Sequence, residues 1–525
     1  MKKHLQKKIT VAQLLISLLF LLIGYFIAQA VFSKEKKQLE QTVKTATSKN
    51  IKVAGADLKN KKDTSSLVHL QLYLQAIKDS FDVYSGDFGF YLASADSGKI
   101  ICEYNQNENF VPASVMKVVS TGVALSKLGT GYRFPTFLQY DGKIENRVLQ
   151  GNIYIKGSGD PTLGGRVFGS TNADKILNRW VEEIKNAGID SINGSIIGDA
   201  DSHEIEMTPG GWGWEDIEND YGTGLSGLNF YENLYELTLS AKANITKISP
   251  EVPGLKLHNL VVSNSAINKS YVYTLGGPYA AERYVLGEIK GAYSGFVPVP
   301  NPAELCAFSL YNKLIKNNIK ISDSCSTLRK LKNESLYDKK ERKTIYTHYS
   351  PALADIVNHA NQVSHNFYAE SVLRALAYKL NGYGTTAGGV RHVYNFMREN
   401  KISTTGFYMV DGSGISRFNS FTVKHLGQIL LALSQDKSVF PSFYNSLPIA
   451  GETGTLKKLA KESLAKGNLR AKSGTMSRVK SYAGYVKDKN GKLLVFAMMA
   501  NNYDWDQLTM RNKFEELMGL MANLD

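Results

Sequence analysis

The sequence predicts an α/β (α+β) fold in which one body is interrupted by a long, mostly β insert. Three observations lead there. Strand and helix patterns occupy both ends of the folded region, the middle changes texture, and the residues best suited to chemistry are divided between the two ends. A chain of 525 residues has room for this arrangement, and 43% apolar with 10% aromatic content supplies a sizeable core.

The N-terminus reads first as an address. Lys2, Lys3, Lys7 and Lys8 precede an uncharged, mostly apolar run of 24 residues, Ile9 to Phe32. About 20 helical residues span a hydrocarbon layer, and the positive flank stays on the cytoplasmic side. Residues 1–8 are therefore expected as a cytoplasmic basic tail and 9–32 as a transmembrane anchor. Ala28-Gln29-Ala30 also fits a signal-peptidase site, which leaves a cleaved signal as the alternative. Either route exports the body to the cell envelope, outside the cytoplasmic membrane (the periplasm). Residues 33–63 are lysine-rich, nearly free of aromatics, and read as a linker.

Residues 1–63 hold 13 lysines against four acids and so supply +9 of the net charge of +14. A basic arm on a near-neutral body suits an anionic membrane surface or wall polymer, and no nucleic-acid motif accompanies it. The nine histidines form no HExxH or comparable cluster, so neither a metal nor another cofactor is expected. Cys102, Cys306 and Cys325 are too few for a disulfide framework and read mainly as buried thiols, although Cys306 and Cys325 could pair after export.

Folded sequence begins near Leu67. Phe88–Ser94 and Lys99–Tyr104 alternate like strands across the Asp96-Ser97-Gly98 turn. Pro112-Ala113-Ser114 opens a helix from Val115 to about Leu128, which Gly129 closes. Short strands, many glycines and the Trp212 and Trp214 loop then mark a mostly β insert over 132–343. It divides the body into 64–131 and 344–525. In the second part, Ser481–Lys487 and Leu493–Ala500 flank Asn490-Gly491, a strong hairpin signal, and a helix closes the chain from about Asp504 to Leu520.

Three short stretches could carry chemistry. In Ser114-Val115-Met116-Lys117 the serine and lysine lie three apart on a helix, so the amine reaches the hydroxyl in the positive first turn. The lysine can act as a base only if its environment lowers its pKa by several units. The SxxK pattern alone is weak, because it also starts at Ser33, Ser434, Ser463 and Ser477; only Ser114 follows Pro-Ala and leads an apolar helix. Ser364-His365-Asn366 is short. Lys472-Ser473-Gly474-Thr475 leads into the hairpin, where a strand edge could offer charge, hydroxyls and open backbone to a carboxylate.

In this order the three stretches resemble the SxxK, SxN and KTG elements of penicillin-binding proteins and serine β-lactamases. Gly157-Ser158-Gly159-Asp160-Pro161-Thr162-Leu163, Trp212-Gly213-Trp214, Asp411-Gly412-Ser413-Gly414-Ile415-Ser416-Arg417 and Gly454-Thr455-Leu456 narrow the resemblance. They are similar to segments of the D-alanyl-D-alanine carboxypeptidase/endopeptidase family of low-molecular-mass (class C) penicillin-binding proteins. The likeness runs from about Leu67 to the C-terminus.

The resemblance implies a transpeptidase-like domain, an antiparallel sheet flanked by helices, with the insert between Ser114 and Ser364. It implies an acyl-enzyme on Ser114, with Lys117 as proton acceptor and Ser364 as relay. Asn366 would hold the substrate amide, and Lys472, Ser473, Gly474 and Thr475 the terminal carboxylate. The implied partners are peptidoglycan stem peptides, with β-lactams as covalent inhibitors. Two positions depart from the family pattern: His365 stands where an acid is usual, and Ser473 replaces threonine. Asp411-Gly-Ser-Gly is either a tight turn or the support of Arg417, which could contact a stem-peptide charge. Asp160 reads as a turn residue and the tryptophan loop as insert core. A β-lactamase or esterase, or a slowly deacylating β-lactam sensor, are the competing readings.

Overall fold

The computed structural model describes residues 65–84 and 86–525. The expected anchor, 9–32, and the whole of the expected linker, 33–63, lie outside the described residues. Among the described residues, no helix is long and apolar enough to cross a membrane. The described part opens with helix α1, Ser66–Tyr84.

The body is built on a five-stranded antiparallel sheet. Strands β1 (Asp87–Ser94) and β2 (Ile100–Tyr104) come from its first part, and β3 (Arg470–Met476), β4 (Val479–Lys487) and β5 (Leu493–Asn501) from its second. The order β2-β1-β5-β4-β3 pairs β1 with β5 over eight residues, from Asp87 opposite Asn501 to Ser94 opposite Leu494. Segments four hundred residues apart thus share one ladder, and β3 is left as an edge. The central β5 is nearly all apolar because both of its faces are covered.

Alternation decides which side chains go where. Tyr91, Tyr485 and Ala497 point into the main helical core. Phe88 and Tyr482, on the other face, pack on Phe514 at centroid distances of 5.8 Å. That core holds α2 (Met116–Leu128), α3 (Leu353–Gln362), α4 (Asn366–Asn381) and α5 (Val423–Gln435), while Phe514 belongs to the closing helix α6 (Gln507–Ala522).

The insert holds more strand than helix, as its texture predicts, but it is not strand alone. It has its own core around Trp180, Leu310 and Leu314, and two of its elements are helices of 14 and 15 residues, Ala173–Asn186 and Pro302–Lys316. Strands Ile153–Lys156, Ile196–Asp199 and Cys325–Thr327 pair in parallel. Parallel pairing requires crossovers, and the two helices lie on the chain between those strands. Strand Lys343–Tyr349 pairs with Pro135–Tyr140, so the insert's sheet extends past residue 343. The chain leaves and returns through one neck, where Leu353 N donates to Tyr132 O and Ser350 N to Phe134 O. Cys102, Cys306 and Cys325 form no disulfide, and Cys306 is buried in the insert core.

One buried ion pair organises the insert face that meets the body. Arg283 and Glu218 are 1% and 4% exposed and meet at 3.1 Å. Arg283 also donates to the carbonyls of Gly277, Ala280 and Pro298. Removing one partner strands the other charge in the interior. Arg283→Ala and Glu218→Ala are each expected to lose about 3–5 kcal/mol in denaturant unfolding. A double Arg283→Met, Glu218→Leu variant should lose less than either single. Additive losses would mean that the pair is not the cause.

Candidate active site

Residues Ala113–Val115 form one 3₁₀ turn feeding α2. Ala113 has φ of 49°, an uncommon conformation for a residue with a Cβ. The turn is held from both sides. Ser481 Oγ donates to Pro112 O at 2.6 Å, and a Cβ on Gly414 (φ 84°) would meet Ala113 O at 1.9 Å. Only glycine allows that approach.

Lys117 lies one turn on, fully buried. Its Nζ is 2.9 Å from Ser114 Oγ, 2.6 Å from Asn366 Oδ1 and 2.8 Å from Ser413 O. The last two oxygens can only accept, so they fix two N–H directions of the amine. Its remaining tetrahedral direction faces Ser114. With the amine neutral, that direction holds the lone pair, aimed at the serine hydroxyl. Burial lowers the Lys117 pKa to about 7, with the charges of Asp411 and Glu370 opposing the drop.

The acceptors around Lys117 are themselves anchored. Glu370, one turn beyond Asn366 on α4, accepts from Gly412 N and Ser413 N and thereby aims the Ser413 carbonyl. Asp411 is buried and accepts from Gly414 N, Ser416 N, Asn419 Nδ2 and Trp212 Nε1, all within 2.9 Å. It is the closing anchor of a tight turn. Arg417, beyond that turn, is exposed and is not among the residues lining the cleft over Ser114. Trp212 is buried by its bond to Asp411, whereas Trp214 is 58% exposed. Asp160 is a buried turn residue, accepting from Thr162 N and Oγ1.

That cleft encloses about 350 Å³, with Ser114, Ser364, Thr455, Ser473 and Thr475 in its wall. Ser364 has φ of 61°, which turns the chain into α4 and presents Asn366 to Lys117. Asn366 Nδ2 donates to Tyr221 O at 2.9 Å, a contact from the insert. His365 packs on the rings of His359 and Tyr368. Burial, with the charge of His359 and then Lys117, holds its pKa at about 3, so its imidazole is neutral at physiological pH.

Across the cleft, Lys472 is fully buried and donates to Ser473 O at 2.7 Å. Burial, then the charges of Lys117 and Lys480, hold it well below the usual lysine range. Ser473 Oγ donates to Thr455 Oγ1 at 2.8 Å. Gly474 permits close approach of the edge strand. A Cβ there would lie 2.2 Å from Ser481 Oγ and 3.0 Å from Ser114 N.

Residues 74–524 match the profile of the D-Ala-D-Ala carboxypeptidase 3 (S13) family. The chain belongs to that family. It is a hydrolase of the serine D-Ala-D-Ala carboxypeptidase class. D-alanyl-D-alanine carboxypeptidase DacB of Haemophilus influenzae is 26% identical over 453 residues, 83% of this chain and 90% of the relative. A D-alanyl-D-alanine carboxypeptidase of an Actinomadura species is 23% identical over 456 residues, 83% and 82% of the two chains. The crystal structure of penicillin binding protein 4 from Haemophilus influenzae shares the fold, with a TM-score of 0.73 at 21% identity over 84% of this chain and 97% of that one.

Within this S13 carboxypeptidase, sequence reasoning missed Glu370, the Ser413 carbonyl and the Tyr221 carbonyl. Glu370 had a signal, since it lies four positions after Asn366 and so shares its helix face. The carbonyls had none.

The lowered Lys117 pKa makes acylation pH-dependent with a definite sign. A lysine that takes a hydroxyl proton must be neutral, so with Lys117 in that role the rate of acylation should rise as pH increases through about 7 and then level. Glu370→Gln removes a negative charge that favours the ammonium and should move that midpoint to lower pH. A midpoint that stays put in this variant, in stopped-flow acylation, would separate Lys117 from the titration.

Proposed function

We propose that this protein trims peptidoglycan stem peptides at the cell envelope, hydrolysing their terminal D-Ala-D-Ala bond through an acyl-enzyme on Ser114. The observation that carries the reading is the Lys117 amine, whose two fixed acceptors leave its lone pair on Ser114. Ser114 Oγ attacks the carbonyl of the penultimate D-alanine as Lys117 takes the hydroxyl proton. The N–H groups of Ser114 and Thr475 receive the oxyanion, where one donor is worth about 3 kcal/mol. Ser364 passes a proton from the lysine pair to the departing amine, the C–N bond breaks, and D-alanine leaves. Water then cleaves the ester. Asn366 holds the stem-peptide amide, and Lys472, Ser473, Gly474 and Thr475 hold the terminal carboxylate.

The same steps cut a cross-link when the leaving amine belongs to a second stem peptide, so endopeptidase action belongs to this proposal. The fold-sharing penicillin binding protein 4 from Haemophilus influenzae has been crystallised with a β-lactam. Such a compound mimics the D-Ala-D-Ala end and reports the nucleophile directly. Labelling the full-length protein with penicillin and mapping the peptide should place the adduct on Ser114. Ser114→Ala should abolish labelling, while Ser463→Ala should leave it intact. Lys117→Ala should slow acylation about 10²–10⁴-fold. An adduct elsewhere overturns the assignment. Release of free D-alanine from a stem peptide distinguishes the carboxypeptidase from a slowly deacylating sensor.

For location, the basic flank and the 24-residue apolar run at the N-terminus support a retained anchor with the body outside the cytoplasmic membrane. Fractionation should find the full-length chain in the membrane, its body cleaved by protease added from outside. A soluble mature chain starting at Val31 would replace the anchor with a cleaved signal.

A further inference from the structure

The carboxylate-binding side of the cleft contains a cation outside the three motifs. We propose that Lys480 supplies the positive charge that fixes the substrate's terminal carboxylate, acting directly and through the hydroxyl of Thr475. The proposal rests on the carboxypeptidase reading and names a specificity-determining residue within it.

Lys480 stands opposite Thr475 in the β3–β4 register, and both line the cleft with Ser114. Its Nζ donates to Thr475 Oγ1 at 2.7 Å and lies 5.4 Å from the centre of the Tyr482 ring. An ammonium only donates, so the Thr475 oxygen is committed as an acceptor and its single O–H is directed elsewhere. Thr475 is exposed to the cleft, so that proton is available to an incoming carboxylate oxygen. Among the described residues, no carboxylate lies within ion-pair distance of Lys480. Two other cations line the cleft: Arg511, already engaged by Glu515 and by the carbonyl of Lys458, and Lys458 itself, which is exposed and, unlike Lys480, makes no hydrogen bond to Thr475.

The motif lysine is poorly suited to be the sole charge. Lys472 is completely buried, points Nζ at its neighbour's carbonyl, and shares the interior with Lys117. Two buried ammonium groups facing one another resist simultaneous protonation. Lys480 is only partly buried, and its pKa is lowered to about 8 by burial and by Arg511, with Glu515 opposing. It therefore remains largely charged at neutral pH, on the side where Ser473 and Thr475 present their hydroxyls.

A matched pair of peptide substrates, one ending in D-Ala-D-Ala and one in its carboxamide, isolates this charge. In the full-length protein, Lys480→Met should lower kcat/KM on the free acid roughly 10- to 100-fold, chiefly by raising KM. Turnover of the carboxamide should change by no more than about twofold, and Lys480→Arg should recover most of the loss. Saturating penicillin should still label Ser114 in each variant, which reports an intact fold and nucleophile. Equal losses on both peptides, or no loss on the acid, would overturn the role of Lys480. If the unaltered protein is labelled by penicillin yet releases neither D-alanine from the acid nor D-alaninamide from the carboxamide, the carboxypeptidase reading fails instead.

Discussion

The structure turns on keeping one lysine amine out of water. Moving the Lys117 pKa from 10.5 to about 7 corresponds to about 5 kcal/mol against its charged form. Burial supplies that bias and two buried carboxylates, Asp411 and Glu370, limit it. With burial alone the amine could not hold a proton taken from a neighbouring hydroxyl. With the carboxylates close and burial weaker, it would stay an ammonium and accept nothing. The balance puts both protonation states within reach near neutral pH, which is what a proton acceptor that must later give its proton back requires.

Maintaining that balance explains much of the surrounding architecture. Glu370 and Asp411 spend their oxygens on backbone N–H groups, Ser413 N and Gly412 N for one and Gly414 N and Ser416 N for the other. They are thus carboxylates fixed at a set distance, and the carbonyl of Ser413 is fixed with them. The insert takes part as well: Trp212 donates to Asp411, and the Tyr221 carbonyl receives Asn366. A segment that supplies none of the three motifs therefore bears on the orientation of both acceptor sets around Lys117.

The body was legible because its signals are local. Ser114 and Lys117 declare their shared face by spacing, Gly129 ends their helix, and Asn490-Gly491 turns the hairpin that carries the edge strand. The predominance of strand in the insert was legible too, and its two long helices also carried marks of their own. Ile176, Leu177, Trp180, Val181 and Ile184 recur at helical spacing, and Asn301 followed by Pro302 is a cap and first-turn pair. Other features were beyond a sequence. Which of two neighbouring tryptophans is buried depends on Asp411 arriving from two hundred positions away, and no local pattern marks Arg417 as exposed.

Lys117 and Lys472, buried behind the cleft, and Lys480, partly exposed in its wall, form a graded series. Their charges are coupled, since each one protonated makes the next harder to protonate. A substrate carboxylate entering beside Ser473 and Thr475 reverses part of that repulsion, because a nearby negative charge favours the charged form. On the proposed mechanism, binding therefore raises the proton affinity of the buried pair, which helps Lys117 keep a proton once taken but near pH 7 also populates the ammonium that cannot take one. An uncharged ligand of the same shape would fill the cleft without this effect. On that mechanism the carboxylate is best held by the Thr475 hydroxyl and by Lys480, whose positive charge offsets its field at Lys117 and keeps the neutral amine within reach.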